Sequence, residues 1–379
     1  MPQKSVPCVV YRGGTSRGLF FHKQDLPNDI KQRNEIFLQG IDAWNLAQVD
    51  GLGGGTSSTS KVCVIAPPSR PDAHADWTFY QLGVADTIID EKGTCGNLMS
   101  SVGAFVVDEG LVAFDKEASC VEVRVYNTNI KKMLCIQVPL VDGMTRTQGT
   151  YAMPGVIKSG ALLDVSIVNP AGGMFGEQLA YGKQSKVFLD GKAYKITISD
   201  LINPFVFVSG ADFELQGSES LSSVAVQADT VAKLNAIRDQ ACVLCGLAQD
   251  EQDAKKNKQN VPKIAIISPA QDYITTGGEL IKKADVDLLI KVISMGKFHR
   301  TSPASGLYNL AATAMLADTI PNLIAGFTAD KTERIVRIGH PEGVVEIKVV
   351  LSDNARAVYK VGMQRTVRRI IKGELFYQI

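Results

Sequence analysis

The chain has 379 residues, 40 Lys and Arg against 39 Asp and Glu, and 45% hydrophobic residues. That length suggests about two domains, and the composition excludes disordered, collagenous and coiled-coil chains. A net charge of +1 provides no global field for nucleic acid or an anionic membrane, so neither partner is expected and an anionic ligand must be met by a local cluster. The apolar runs fall short of the roughly 20 residues a membrane helix needs. The first residues lack a signal-peptide core, so a cytoplasmic protein is expected.

Short β-branched or aromatic runs dominate the first half: 6–11, 19–21, 62–66, 77–84, 121–126 and 134–138. The second half repeats them at 186–189, 194–198, 205–209, 263–268, 333–338, 344–351 and 356–361. The polar stretch 249–260 reads as a solvated loop. Two helices are apolar nearly all round, about 96–109 and about 306–318, and both should be buried. Each follows a small-residue turn, Gly93-Thr-Cys-Gly-Asn97 and Ser302-Pro-Ala-Ser-Gly306. The same order occurs twice, which predicts two similar lobes, each a sheet round one central helix, with both helix N-termini at the cleft between them. The N-terminal lobe is expected at 1–184 and the C-terminal lobe at 185–379, the last strand being free to return to the first lobe.

Seven cysteines, an odd number in a large chain, argue against a disulfide framework. Cys242 and Cys245 form a CxxC, but the stretch 231–244 carries a helical apolar stripe at 231, 234, 237, 241 and 244, so the pair reads as part of a core helix. No grouping of His, Asp and Glu has metal-ligand spacing, so neither metal nor cofactor is expected.

Four clusters can carry chemistry. Cys95 starts a helix, where unpaired N–H groups bind carboxylates and where thiolate or a proton-donating thiol is favoured. The loop Gly51–Ser60 delivers Lys61 to a strand. It is not a phosphate loop, because Ser60 precedes the lysine and Val62 follows it. Lys61 is then either a surface residue or a base kept neutral by desolvation. The turn Arg12-Gly-Gly-Thr-Ser-Arg-Gly18 offers Thr15, Ser16 and Arg17 to an anion, or is a hairpin that needs its glycines. Lys297-Phe-His-Arg-Thr-Ser302 places His299, Thr301 and Ser302 ahead of the second buried helix.

Together these clusters resemble the PrpF family of methylaconitate and methylitaconate isomerases. The matching residues are Tyr11 to Gly18, Thr56-Ser-Ser-Thr-Ser-Lys61, Cys95-Gly-Asn-Leu98, Asn203-Pro204, the turn 303–306, and Ile338-Gly-His-Pro-Glu-Gly343. The resemblance implies the α+β, diaminopimelate-epimerase-like fold, two pseudo-symmetric lobes each a β-barrel-like sheet round a central helix. It implies Lys61 as principal acid/base with Cys95 near the same carbons. Epimerases of that fold carry a second cysteine where this chain has Pro303. The family usually has Leu-Pro-Thr-Gly after its Pro-Ala-Gly segment, whereas Pro170-Ala-Gly-Gly173 is followed here by Leu179-Ala-Tyr-Gly-Lys183.

The implied reaction is a proton shift on an unsaturated di- or tricarboxylic acid, namely cis–trans isomerisation, double-bond migration or oxo-acid tautomerisation. Substrate carboxylates would rest on the N–H groups of Gly96 and Asn97 and of Ala304, Ser305 and Gly306. Hydroxyls would come from Thr15, Ser16, Ser60, Thr301 and Ser302. The alternatives are an accessory protein that binds such acids, and an amino-acid epimerase of the same fold. A homodimer is the default assembly.

Overall fold

The computed structural model describes residues 3–378 apart from 154, 227, 260, 295, 296, 301 and 329. It divides into two compact units, residues 1–168 with 363–379, and residues 169–362.

In the first unit the strands are β1 (Lys4–Gly13), β2 (Ser16–His22), β3 (Lys61–Ala66), β4 (Ala75–Leu82), β5 (Cys120–Asn127), β6 (Lys132–Val141) and β7 (Leu163–Val168). The C-terminal strand Val367–Tyr377 pairs antiparallel with β1. From that strand onward the sheet runs antiparallel to β1 and β2, parallel to β3, antiparallel to β4, parallel to β5, then antiparallel to β6 and β7. Helix α1 (Ile30–Ile41) is capped by Asp29, whose side chain accepts from Gln32 N. Its Ile36, Phe37 and Ile41 pack on Val10, Leu19, Val62 and Tyr80 from one face of the sheet. Helix α2 (Met99–Asp108) is buried along every residue from Met99 to Val107, as its all-round apolar sequence requires.

The second unit contains β8 (Ser185–Leu189), β9 (Lys192–Leu201), β10 (Asn203–Ser209), β11 (Lys263–Pro269), β12 (Leu288–Ser294), β13 (Glu333–His340), β14 (Gly343–Leu351) and β15 (Val358–Arg365), the last leaving the unit after Gly362. Its pairing sense, read from β8 to β15, is antiparallel, antiparallel, parallel, antiparallel, parallel, antiparallel, antiparallel. That is the order of the first unit. Helix α3 (Ala228–Leu244) packs Leu234, Ile237 and Ala241 on β9 to β11, with Cys245 in the same cluster and Cys242 also buried. The buried helix α5 (Ala304–Ala314) stands between β12 and β13, as α2 stands between β4 and β5 in the chain. The loop after Pro170 is tied to β9, because the Asp200 carboxylate accepts from Met174 and Phe175 N–H at 2.6 and 2.7 Å.

Three sequence expectations need correction. Helix α2 starts at Met99 rather than 96, since 96–98 form a turn. Helix α5 spans 304–314 rather than 306–318, and the short helix α6 (Ile320–Ala325) follows. The stretch 249–260 is not simply a loop. Asp250 caps α4 (Glu251–Asn257), with acids in the first turn and lysines in the last, so charge there complements the helix dipole.

Candidate active site

The hairpin between β1 and β2 closes over Gly14 and Thr15, with Gly13 opposite Ser16. Gly14 has φ of +53° and its N–H donates to Thr366 O at 3.0 Å. Gly13 is required for close approach: a Cβ there would lie 2.2 Å from Ser101 Oγ and 2.6 Å from Asn97 O. The hairpin is therefore pressed onto the turn that starts α2. Gly13→Ala should cost about 1–3 kcal/mol by overpacking. A urea midpoint unchanged from that of the parent would show the contact to be soft.

That contact brings four predicted residues together. Asn97 Nδ2 donates to Thr15 Oγ1 at 3.0 Å and to Ser16 Oγ at 3.4 Å. Cys95 Sγ lies 3.8 Å from Ser16 Oγ. Met99 N–H donates to Cys95 O, so Cys95 sits where the helical bonding begins. The N–H groups of Gly96 and Asn97 make no hydrogen bond among the described residues. They remain available to an anion. Thr15 is exposed, whereas Ser16 and Cys95 are buried.

Lys61 is buried, 8% exposed, which rules out a plain surface residue. Its Nζ donates to Gln81 Oε1 at 2.5 Å and stands 5.2 Å from the centre of the Phe79 ring. Gln81 is its direct cross-strand neighbour on β4. The Gln81 amide is fixed in turn, its Nε2 donating to Ser60 O at 2.9 Å and to Ser57 O and Leu82 O at 3.1 Å. Oε1 therefore faces the lysine. Two residues along β3, burial pushes the Cys63 thiol well above its usual range. Nearby Cys95 adds to this and nearby Lys61 opposes it. Cys63 thus lies within electrostatic reach of both candidate residues while itself remaining a neutral thiol.

Other predicted residues have different surroundings. Ser60 is fully buried, and its hydroxyl is engaged by Gln48 and by Thr56 O. Gln48 also accepts from Gly54 and Gly55 N–H at 2.8 Å, so it organises the glycine loop ahead of Lys61. Arg17 Nη2 donates to Leu52 O and Gly53 O at 2.9 Å each, and Arg17 N–H to Ser58 O. In the second unit Pro303 stands at the N-cap of α5 with no side-chain cap. Ser302 is buried and its Oγ has no partner among the described residues. Gly306 N–H is taken by Pro303 O, and the Phe205 ring lies against Gly306. Ala304 and Ser305 are half-buried in the first turn. His299 is half-buried, with its N–H on Val292 O. Thr301 lies outside the described residues.

Gln81, Gln48 and Arg365 were not singled out by sequence. Gln81 depends on the register across the loop 67–74, which is too long to fix pairing by turn chemistry. Arg365 depends on a contact with Asn97, 268 positions away.

A family model described as PrpF protein matches residues 3–378. The 3-methylitaconate isomerase of Eubacterium barkeri is 33% identical over 380 residues, covering 99% of this chain and 98% of that protein. The 2-methyl-aconitate isomerase of Shewanella oneidensis is 30% identical over 388 residues, covering 98% and 96%. The crystal structure of a methylitaconate-delta-isomerase matches with a TM-score of 0.91 at 32% identity, covering 99% of this chain and 96% of that one. The protein is thus an isomerase with the α+β fold of that methylitaconate-delta-isomerase. More narrowly, the chain belongs to the PrpF family.

Proposed function

We propose that the chain catalyses a proton shift on an unsaturated di- or tricarboxylic acid, of the kind named for its relatives, 3-methylitaconate or 2-methylaconitate. The observation that carries this is a buried lysine held by a neutral amide, in the same unit as a thiol that lies beside two free N–H groups. The Lys61 amine takes a proton from carbon. The C–H bond breaks, its electron pair spreads into a dienolate, and the proton on Nζ is returned at another carbon or after bond rotation. A positioned base contributes roughly 10²–10⁴ in rate. The N–H groups of Gly96 and Asn97 and the hydroxyls of Thr15 and Ser16 meet the charge that develops on the carboxylate. Cys95 donates or relays a proton beside them. In the second unit, His299, Ser302, Ala304 and Ser305 form a further candidate set for an anion.

Proton NMR of a panel of unsaturated di- and tricarboxylates in D₂O tests the reading. Deuterium uptake with a moved or inverted double bond is the expected result, and it names the substrate. Binding with no exchange in any compound would overturn catalysis in favour of an accessory role.

A further inference from the structure

We propose that Arg365 is the side chain that receives a substrate carboxylate in the first unit; this rests on the function proposed above. The sequence assigned that task to Arg17. Alternation along β2 sends neighbouring side chains to opposite faces. Ser16 turns toward Asn97 and Cys95, while Arg17 turns away to the carbonyls of Leu52 and Gly53. The strand therefore brings hydroxyls to the Thr15–Asn97 cluster and no cation.

Arg365 fills that gap from the far end of the chain. Its Nε donates to Asn97 Oδ1 at 3.0 Å, its Nη1 to Gln364 O at 2.8 Å, and its Nη2 rests on Met363 Sδ. Every one of these acceptors is uncharged. No carboxylate pairs with Arg365 among the described residues, and the residue is half-buried. Arginine keeps its charge throughout the working pH range. A partly desolvated guanidinium with neutral partners alone is an unbalanced charge, which an arriving carboxylate would balance.

The Asn97 amide joins that charge to the rest of the site. With Oδ1 accepting from Arg365, Nδ2 must face Thr15 and Ser16, as it does. One amide thus sets the spacing between the guanidinium, two hydroxyls and the thiol 3.8 Å beyond Ser16. Thr15 is the exposed member. A dianion entering beside it would meet the guanidinium with one carboxylate and the free N–H groups of Gly96 and Asn97 with the other.

The test compares the wild type with Arg365→Met and Arg365→Lys on a diacid substrate and on its two methyl monoesters. Arg365→Met should raise KM for the diacid roughly 30-fold or more while kcat falls less than about fivefold, as expected when a charge-assisted bond to bound substrate is lost. The wild type should prefer the diacid over one monoester, and Arg365→Met should lose that preference. A residue that merely holds Asn97 in place would leave the preference intact, and that outcome overturns the proposal. Should Arg365→Met fail to fold, Arg365→Lys, which keeps charge but not the two-pronged donor, carries the same comparison with a smaller change. Calorimetric binding of tricarballylate is measured alongside. Binding by the wild type that Arg365→Met loses supports the proposal even if no turnover is found. Turnover and binding equal in the two proteins overturn Arg365 alone, and a wild type that neither binds nor reacts overturns both readings.

Discussion

Lys61→Gln is expected to lower kcat by roughly 10²–10⁴-fold, the span that a positioned general base contributes. The fold should survive. Glutamine is shorter, it still offers a donor toward Gln81 Oε1, and it places no charge in a position that is only 8% exposed. Thermal melting by circular dichroism should therefore move by only a few degrees, on the scale of about 1 kcal/mol. Steady-state rates measured by the appearance of the shifted double bond decide the matter. A variant that melts normally and turns over near the wild-type rate would remove Lys61 from the mechanism.

Gln81→Glu should also be damaging, though less so, and for the opposite reason. Gln81 accepts from Lys61 through a neutral carbonyl, and its own amide is pinned by Ser57, Ser60 and Leu82. An acceptor of that kind orients the amine without demanding that it be charged. A carboxylate in the same place would hold Lys61 as ammonium. Opposite charges about 4 Å apart gain about 4 kcal/mol at an effective dielectric of 20. Gln81 is half-buried, so solvent reduces this, and a loss of roughly ten- to a hundredfold near neutral pH is expected. The lost rate should return as pH rises, because only deprotonation restores the base. Gln81→Met removes the acceptor without adding charge and should lose less, with no such pH dependence. Equal losses in the two variants, with parallel pH profiles, would show that Gln81 acts by packing alone.

The sequence revealed the two buried helices, the turns in front of them and most strands, because each is written locally as an apolar run closed by small residues. Lys61, Cys95 and the Thr15–Ser16 turn were legible for the same reason. Partners were not. The Lys61–Gln81 pair depends on the register of two strands joined by a long loop. The partners of Arg17 and Ser60 turned on a detail of alternation, since the side chains next to Ser16 and Lys61 turn toward the glycine loop. The bounds of the C-terminal strand Val367–Tyr377 were not legible, because most of its residues are exposed and carry no apolar period. Helix α4 was hidden by its charge, although its cap, Asp250, was in plain view.

The pairing order shared by the two units has a historical consequence. Strands β3 and β11 hold the same station in it, and each opens on a lysine, Lys61 and Lys263. Burial lowers the pKa of Lys263 from its ordinary value. Two residues on, Cys63 is matched by Ala265, and the turn holding Cys95 is matched by one holding Pro303. This is the trace that duplication and fusion of a half-length ancestor would leave. Both halves carry the scaffold and a lysine at this station, and only the first carries thiols at the two matched positions, so the halves of the present chain are not interchangeable.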